Sequence, residues 1–187
     1  MTKQTEDFGE SLKQGLKYPW NKASRLWNIL WLIVPIFGWF ALIGYGKKII
    51  RELISGKRKK IPMFGNPWVN FKQGVIVIVM FIPTMIALGI INMIPVVGGT
   101  LYMLISIFIL PWLTMNFFIE ETFSSLWDVR KAFDIVFGNA MEYIIAYLKT
   151  LIYSVIYGLL SIVLIGIPCY TFGYFYFLTE FYSTYKK

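Results

Sequence analysis

The 187-residue chain contains no histidine and a single cysteine, Cys169. The first absence removes imidazole acid–base chemistry and histidine metal ligands. The second removes any intrachain disulfide and any cysteine cluster for a metal. Charge is scarce too, at 15% of residues. A soluble domain of this length has more surface than so few charges can cover. Acids are scarcer than bases, 10 against 18, so the formal net charge is +8. On a soluble fold such an excess would point to nucleic acid. Here the bases lie between apolar runs, where membrane topology puts them, so no nucleic-acid partner is expected and anionic lipid headgroups are.

Hydrophobic residues make up 57% of the chain and aromatics 19%, with a mean hydropathy of +0.62. No charged residue occurs in 26–46, 73–119 or 150–179. Runs of this length meet the requirement of about 20 apolar residues for a membrane crossing. As one helix, 73–119 would be about 70 Å long, more than twice the hydrocarbon core, so it must fold back. Pro95, Gly98 and Gly99 mark the break. The expected fold is an all-α, polytopic transmembrane helical bundle, a single integral membrane domain over 1–187. About five spans are predicted, at 26–46, 74–94, 100–119, 146–165 and 167–182. The first admits two forms: Pro35 and Gly38 allow one kinked crossing, the simpler reading, or a re-entrant hairpin with non-helical backbone at depth.

Between the first two runs lies a connector with Lys47, Lys48, Arg51, Lys57, Arg58, Lys59, Lys60 and Lys72 against one acid, Glu52. By the positive-inside rule it faces the cytoplasm, and the first seven of these bases are the expected headgroup contacts. Ile49, Ile50, Leu53 and Ile54 form an apolar stripe suited to a basic helix lying on the interface. A second interfacial helix is predicted in 122–142. Its apolar face carries Phe123, Leu126, Trp127, Phe133 and Phe137, with Asp128, Arg130, Lys131 and Asp134 turned away. Near the start, Phe8, Leu12, Leu16 and Trp20 recur at helical spacing up to a break at Pro19. Two spans separate the connector from Glu120, so both face one side. The C-terminus, ending in Lys186 and Lys187, joins them. Five spans then place the N-terminus opposite.

Tyr18-Pro19, Gly44-Tyr45, Arg51, Gly56, Ile61-Pro62, Trp68, Phe71, Gly74 and Pro83 follow one another in an order and spacing of their own. Together they resemble the prokaryotic multi-pass family known as domain of unknown function 4013. The resemblance covers roughly residues 8–95. It implies an integral membrane protein and supplies no activity. Where members usually place Trp or an acid soon after Leu-Pro, this chain has Met63-Phe64-Gly65.

Catalytic parts are missing. No Ser, Cys or Lys has a candidate base beside it, so no catalytic residue, cofactor or metal is expected. The methionines in the runs share no face and read as packing residues. Tyr147, Thr150, Ser154, Tyr157, Gly158 and Ser161 make a small and polar seam that could pack against another helix in lipid. Lys149 and Glu180 are possible intramembrane charges. Each stands about one turn from a span end, where a long side chain reaches the headgroups. The expected role is therefore non-enzymatic association with lipids and with other membrane proteins or copies of itself. The alternative is a small transporter or pore subunit using Lys149 or Glu180.

Overall fold

A computed structural model describes residues 8–186, and these residues contain helices and no strand. Each uncharged run holds its own chain reversal, so the body of the protein is three hairpins. The first begins after helix α1 (Phe8–Lys17) with a 3-10 helix, Trp20–Ile33, kinked at Lys22, and turns into α2 (Phe37–Ile54). Proline has no N–H and biases the residue before it towards extended backbone. Val34 accordingly leaves the helix at φ −88° and ψ 100° ahead of Pro35. Ile36 then adopts φ 63°. The two arms face each other: Trp39 Nε1 donates to Leu32 O at 3.1 Å, and Asn28 Nδ2 to Tyr45 Oη at 3.2 Å. The single span predicted over 26–46 is thus corrected to a hairpin.

A left-handed conformation at a β-branched residue costs on the order of 1–3 kcal/mol. Ile36→Gly should therefore leave the melting temperature in detergent unchanged or raise it. A fall in melting temperature would indicate a helical residue at 36, where glycine costs about 1 kcal/mol.

The second hairpin pairs α3 (Pro67–Asn92) with a helix running from Gly98 to Glu120. Asn66 caps α3 by accepting from Trp68 N at 2.9 Å, and Pro67 occupies the first helical position, where its missing N–H costs nothing. The returning helix consists of α4 (Gly98–Leu104), one wide π turn at Ile105–Ile109 and α5 (Leu110–Glu120). Pro111 sits where the wide turn ends, so the proline is absorbed by the turn before it. The turn between the arms places Val96 at φ 70° with 99% of its surface exposed.

After α6 (Val129–Gly138) the third hairpin rises as α7 (Ala140–Leu160) and reverses at Leu164, φ 63°. It returns as α8 (Gly166–Gly173) and α9 (Tyr176–Tyr185). The span predicted at 167–182 is therefore two short helices broken at Tyr174 and Phe175. Among the described residues three helices, not five, are long and apolar enough to cross a membrane: Pro67–Asn92, Gly98–Glu120 and Ala140–Val163.

One aromatic-rich core joins the hairpins, with Tyr18, Tyr45, Trp112, Tyr143, Tyr153, Phe177 and Tyr182 at its centre. The tightest contact is α2 on α3. A Cβ on Gly44 would lie 2.0 Å from Asn70 O, and one on Gly74 would lie 1.8 Å from Phe40 O. Without side chains at those two positions the backbones meet directly, as they do at helix crossings in lipid. The stripe of Ile49, Ile50 and Leu53 is buried in this core, which corrects the expectation that it lies on the interface. α6 buries Ala132 and Val136 and turns Phe133 and Phe137 outward.

Candidate lipid-facing site

The charged flanks of the three hairpins come together at one end. α2 carries Lys47 into the bundle, where it is 3% exposed. Its Nζ lies 2.8 Å from Glu121 Oε1 and 2.7 Å from Gln73 Oε1. Arg51, one turn on, reaches the same carboxylate oxygen at 2.5 Å. Glu121 follows the end of α5 at φ 55°, so the chain reversal itself presents its side chain to α2. The hydrogen bond from Lys47, and then the charges of Lys47 and Arg51, hold the Glu121 carboxyl below its ordinary value of 4.5, against the opposing effect of partial burial. Lys186 joins the end of α9 to Glu120 at 3.0 Å.

The seven predicted headgroup contacts accordingly divide. Lys47 and Arg51 are committed to Glu121. Lys48 donates to Met63 O at 2.8 Å. Arg58 donates to Tyr176 O at 3.1 Å and to Ser183 Oγ at 3.3 Å, with its guanidinium 5.4 Å from the Tyr176 ring. Lys57, Lys59 and Lys60 are exposed. Between α2 and the start of α3 lies a cavity of about 400 Å³ lined by Lys47, Lys48, Arg51, Asn66, Asn70 and Gln73.

The segment between the bases is no loose loop. Ile61 is wholly buried, Arg25 donates to its carbonyl, and Tyr45 Oη donates to Pro62 O at 2.8 Å. Tyr45 and Ile61-Pro62 therefore meet in space. Phe64 stacks on Trp31 at 5.5 Å, and Phe71 on Phe37 at 4.8 Å. These contacts explain physically why Gly44, Tyr45, Ile61-Pro62, Phe71 and Gly74 occur as a set.

The seam on α7 faces inward. Tyr157 and Thr150 are buried, and Tyr147 and Ser154 are half-buried. Thr150, Ser154 and Ser161 each donate to the carbonyl four residues back, at 2.7–2.9 Å. Gly158 is exposed, with nothing within 4 Å of a Cβ placed there. Sequence reasoning missed Tyr153, which is fully buried and donates to Cys169 O at 2.5 Å. Its phenol stands where a Cβ on Gly173 would be, 1.9 Å from the oxygen. Lys149 Nζ donates to Ser11 Oγ at 2.9 Å and lies 5.2 Å from the Phe8 ring. With Glu142 and Glu180 it lines a small cavity of about 180 Å³. Among the described residues no three His, Cys, Asp or Glu side chains are grouped to hold a metal ion.

A family model described as a protein of unknown function, DUF4013, matches residues 28–166. No curated protein and no solved structure matches the chain.

Proposed function

This chain belongs to the DUF4013 family, and we propose that it is a non-enzymatic integral membrane protein of association, binding lipids through one charged face and other membrane proteins or its own copies within the bilayer. One observation carries the reading. Every ion pair among the described residues lies at one end of the bundle, while the hairpin tips present bare aliphatic side chains. Val96 is 99% exposed, Ile162 81% and Ile36 64%. In water such tips would be costly; in hydrocarbon they belong.

The hairpins reach different depths. α3 is 26 residues long, about 39 Å, and suffices for a full crossing. α1 runs beside α7 from Lys149, bonded to Ser11, to Tyr157, whose hydroxyl donates to Leu16 O at 2.6 Å. The exposed Glu10, Lys13, Gln14 and Lys17 thus draw water or headgroups up to about the level of Tyr157. From there to Leu164 is only about 10 Å of helix. The first and third hairpins therefore enter one leaflet, and the second crosses both. The N-terminal helix then shares a side with the basic connector and the C-terminus.

Single cysteines in a Cys169→Ala background test this with membrane-impermeant maleimide. Lys13→Cys and Lys57→Cys should label from one side, Val96→Cys from the other, and Leu164→Cys from neither. Labelling of Leu164→Cys from the side opposite Lys57→Cys would defeat the single-leaflet arrangement. For the association itself, changing Lys57, Lys59 and Lys60 to Gln should reduce the enrichment of anionic lipid around the purified protein, each lysine contributing about 1 kcal/mol. Unchanged enrichment would remove the basis for a headgroup-binding face.

The second reading, a transporter or pore subunit, draws on Lys149, Glu142 and Glu180 lining one cavity. It requires Lys149→Met to abolish a measurable flux in proteoliposomes. The association reading expects no flux to lose.

A further inference from the structure

Between the 3-10 helix and the start of α8 runs an apolar cleft of about 470 Å³, within the usual range for small-molecule sites. Its walls include Trp20, Leu26, Trp27, Leu30, Ile165 and Pro168. The polar atom of Trp20 does not face an empty space, because Nε1 donates to Tyr157 Oη at 2.8 Å. The ends of the cleft differ. At one, next to Trp20, Asn21 Nδ2 donates to Lys59 O at 2.9 Å, which holds the backbone of Lys59 against the segment that carries Lys22; Lys22, Lys59 and Lys60 are exposed. At the other it opens between Leu30 and the bare aliphatic tip of Leu164 and Ile165. Cations at one end and hydrocarbon at the other match the division of a phospholipid.

We propose that this cleft is a specific phospholipid site, holding one acyl chain against Trp27, Leu30 and Ile165 with the phosphate at Lys22, Lys59 and Lys60. The proposal rests on the association reading, since that reading puts the hairpin tips in hydrocarbon and the lysines at headgroup level. Depth decides the occupant. The walls are almost wholly apolar side chains, so a partner's helix would find little there to satisfy its polar backbone ends, whereas an acyl chain has none to satisfy. The exposed lysines at that end further favour an anionic headgroup, since basic side chains at headgroup level attract anionic lipid.

The test uses the full chain, delipidated in mild detergent, and palmitoyl-oleoyl phosphatidylglycerol as probe, with binding read by native mass spectrometry. One molecule should bind the wild-type protein more tightly than phosphatidylcholine does. Ala23→Trp, which fills the cleft, should weaken binding by about tenfold or more. Leu30→Gln, which only makes the wall polar at an exposed position, should weaken it in the same direction and guards against misfolding of the bulky variant. Lys59→Gln with Lys60→Gln should remove the preference over phosphatidylcholine while leaving acyl binding in place. Ile86→Trp, on the exposed face of α3, should do nothing. Wild-type affinity in folded Ala23→Trp and Leu30→Gln would overturn the site, as would equal competition by water-soluble glycerol phosphate. If those two variants bind normally while the triple lysine variant loses its anionic lipid, the cleft is refuted and the charged face stands.

Discussion

Replacing Gly74 with alanine should lower the melting temperature in detergent by roughly 5–10 °C, whereas alanine at Gly89, on the same helix, should leave it unchanged or raise it. Both substitutions add one methyl group to α3. At Gly74 that carbon would lie 1.8 Å from the carbonyl oxygen of Phe40 and 3.1 Å from its Cα. The obstacle is backbone on backbone, so no side chain can rotate away, and α2 must be pushed off α3. That places the cost at or above the top of the 1–3 kcal/mol typical of overpacking, about 3 kcal/mol. At Gly89 a Cβ meets nothing within 4 Å, and alanine has the better helix propensity by about 1 kcal/mol. Gly44→Ala should behave as Gly74→Ala does, because its Cβ would lie 2.0 Å from Asn70 O. The double variant should cost less than the two singles together, since one displacement of α2 relieves both clashes. Fluorescence-detected gel filtration after heating gives all four midpoints. Equal behaviour of Gly74→Ala and Gly89→Ala would mean that the two helices do not cross where the structure places them.

The same pair shows what could be read from the chain. Gly44 and Gly74 belong to the ordered set that resembled the family, yet spacing alone gave no reason for glycine at either position. The reason is a contact between helices separated by a twelve-residue connector, and periodicity within one helix carries no such information. The charge-free runs were legible as helices because one term, burial of uncharged surface, dominates there. Their number of crossings was not. Pro35 and Pro83 both stand inside long uncharged runs, yet the first reverses the chain and the second stays helical. What differs is the neighbour: at the first reversal the arm finds Tyr45, Ile61 and Phe64 to pack on. Tertiary contacts of that kind override local preference. The bases were legible as a face but not as individuals, because nothing in the sequence said which of them would turn inward.

Glu121→Gln should destabilise the protein by about 1–3 kcal/mol, and adding Lys47→Met should restore most of the loss. Lys47 is 3% exposed and Glu121 45%, so the lysine bears the larger desolvation and the carboxylate is the member that can be changed with least disturbance of packing. Neutralising Glu121 leaves a buried ammonium facing amide oxygens alone, that of Gln73 and that of the introduced side chain, with no opposing charge at the latter. Removing the ammonium as well ends that penalty and puts a methionine of similar length against Phe117, whose ring already lies 5.8 Å from Lys47 Nζ. Exposure of the carboxylate keeps the effect below that of a fully buried pair. Acid should reproduce the first variant. Folding lowers the Glu121 pKa, so its contribution is fully present above the ordinary value of 4.5 and disappears as the pH falls through the lower, folded value. Wild-type stability should therefore fall more steeply than that of Lys47→Met/Glu121→Gln as the pH drops below 4.5. Arg51→Gln should matter little by comparison, since its guanidinium is 47% exposed and surface pairs contribute at most about 1 kcal/mol. If Lys47→Met alone were as damaging as Glu121→Gln, the penalty would come from lost packing at α2. The carboxylate beyond α5 would then not be what allows a lysine inside the bundle.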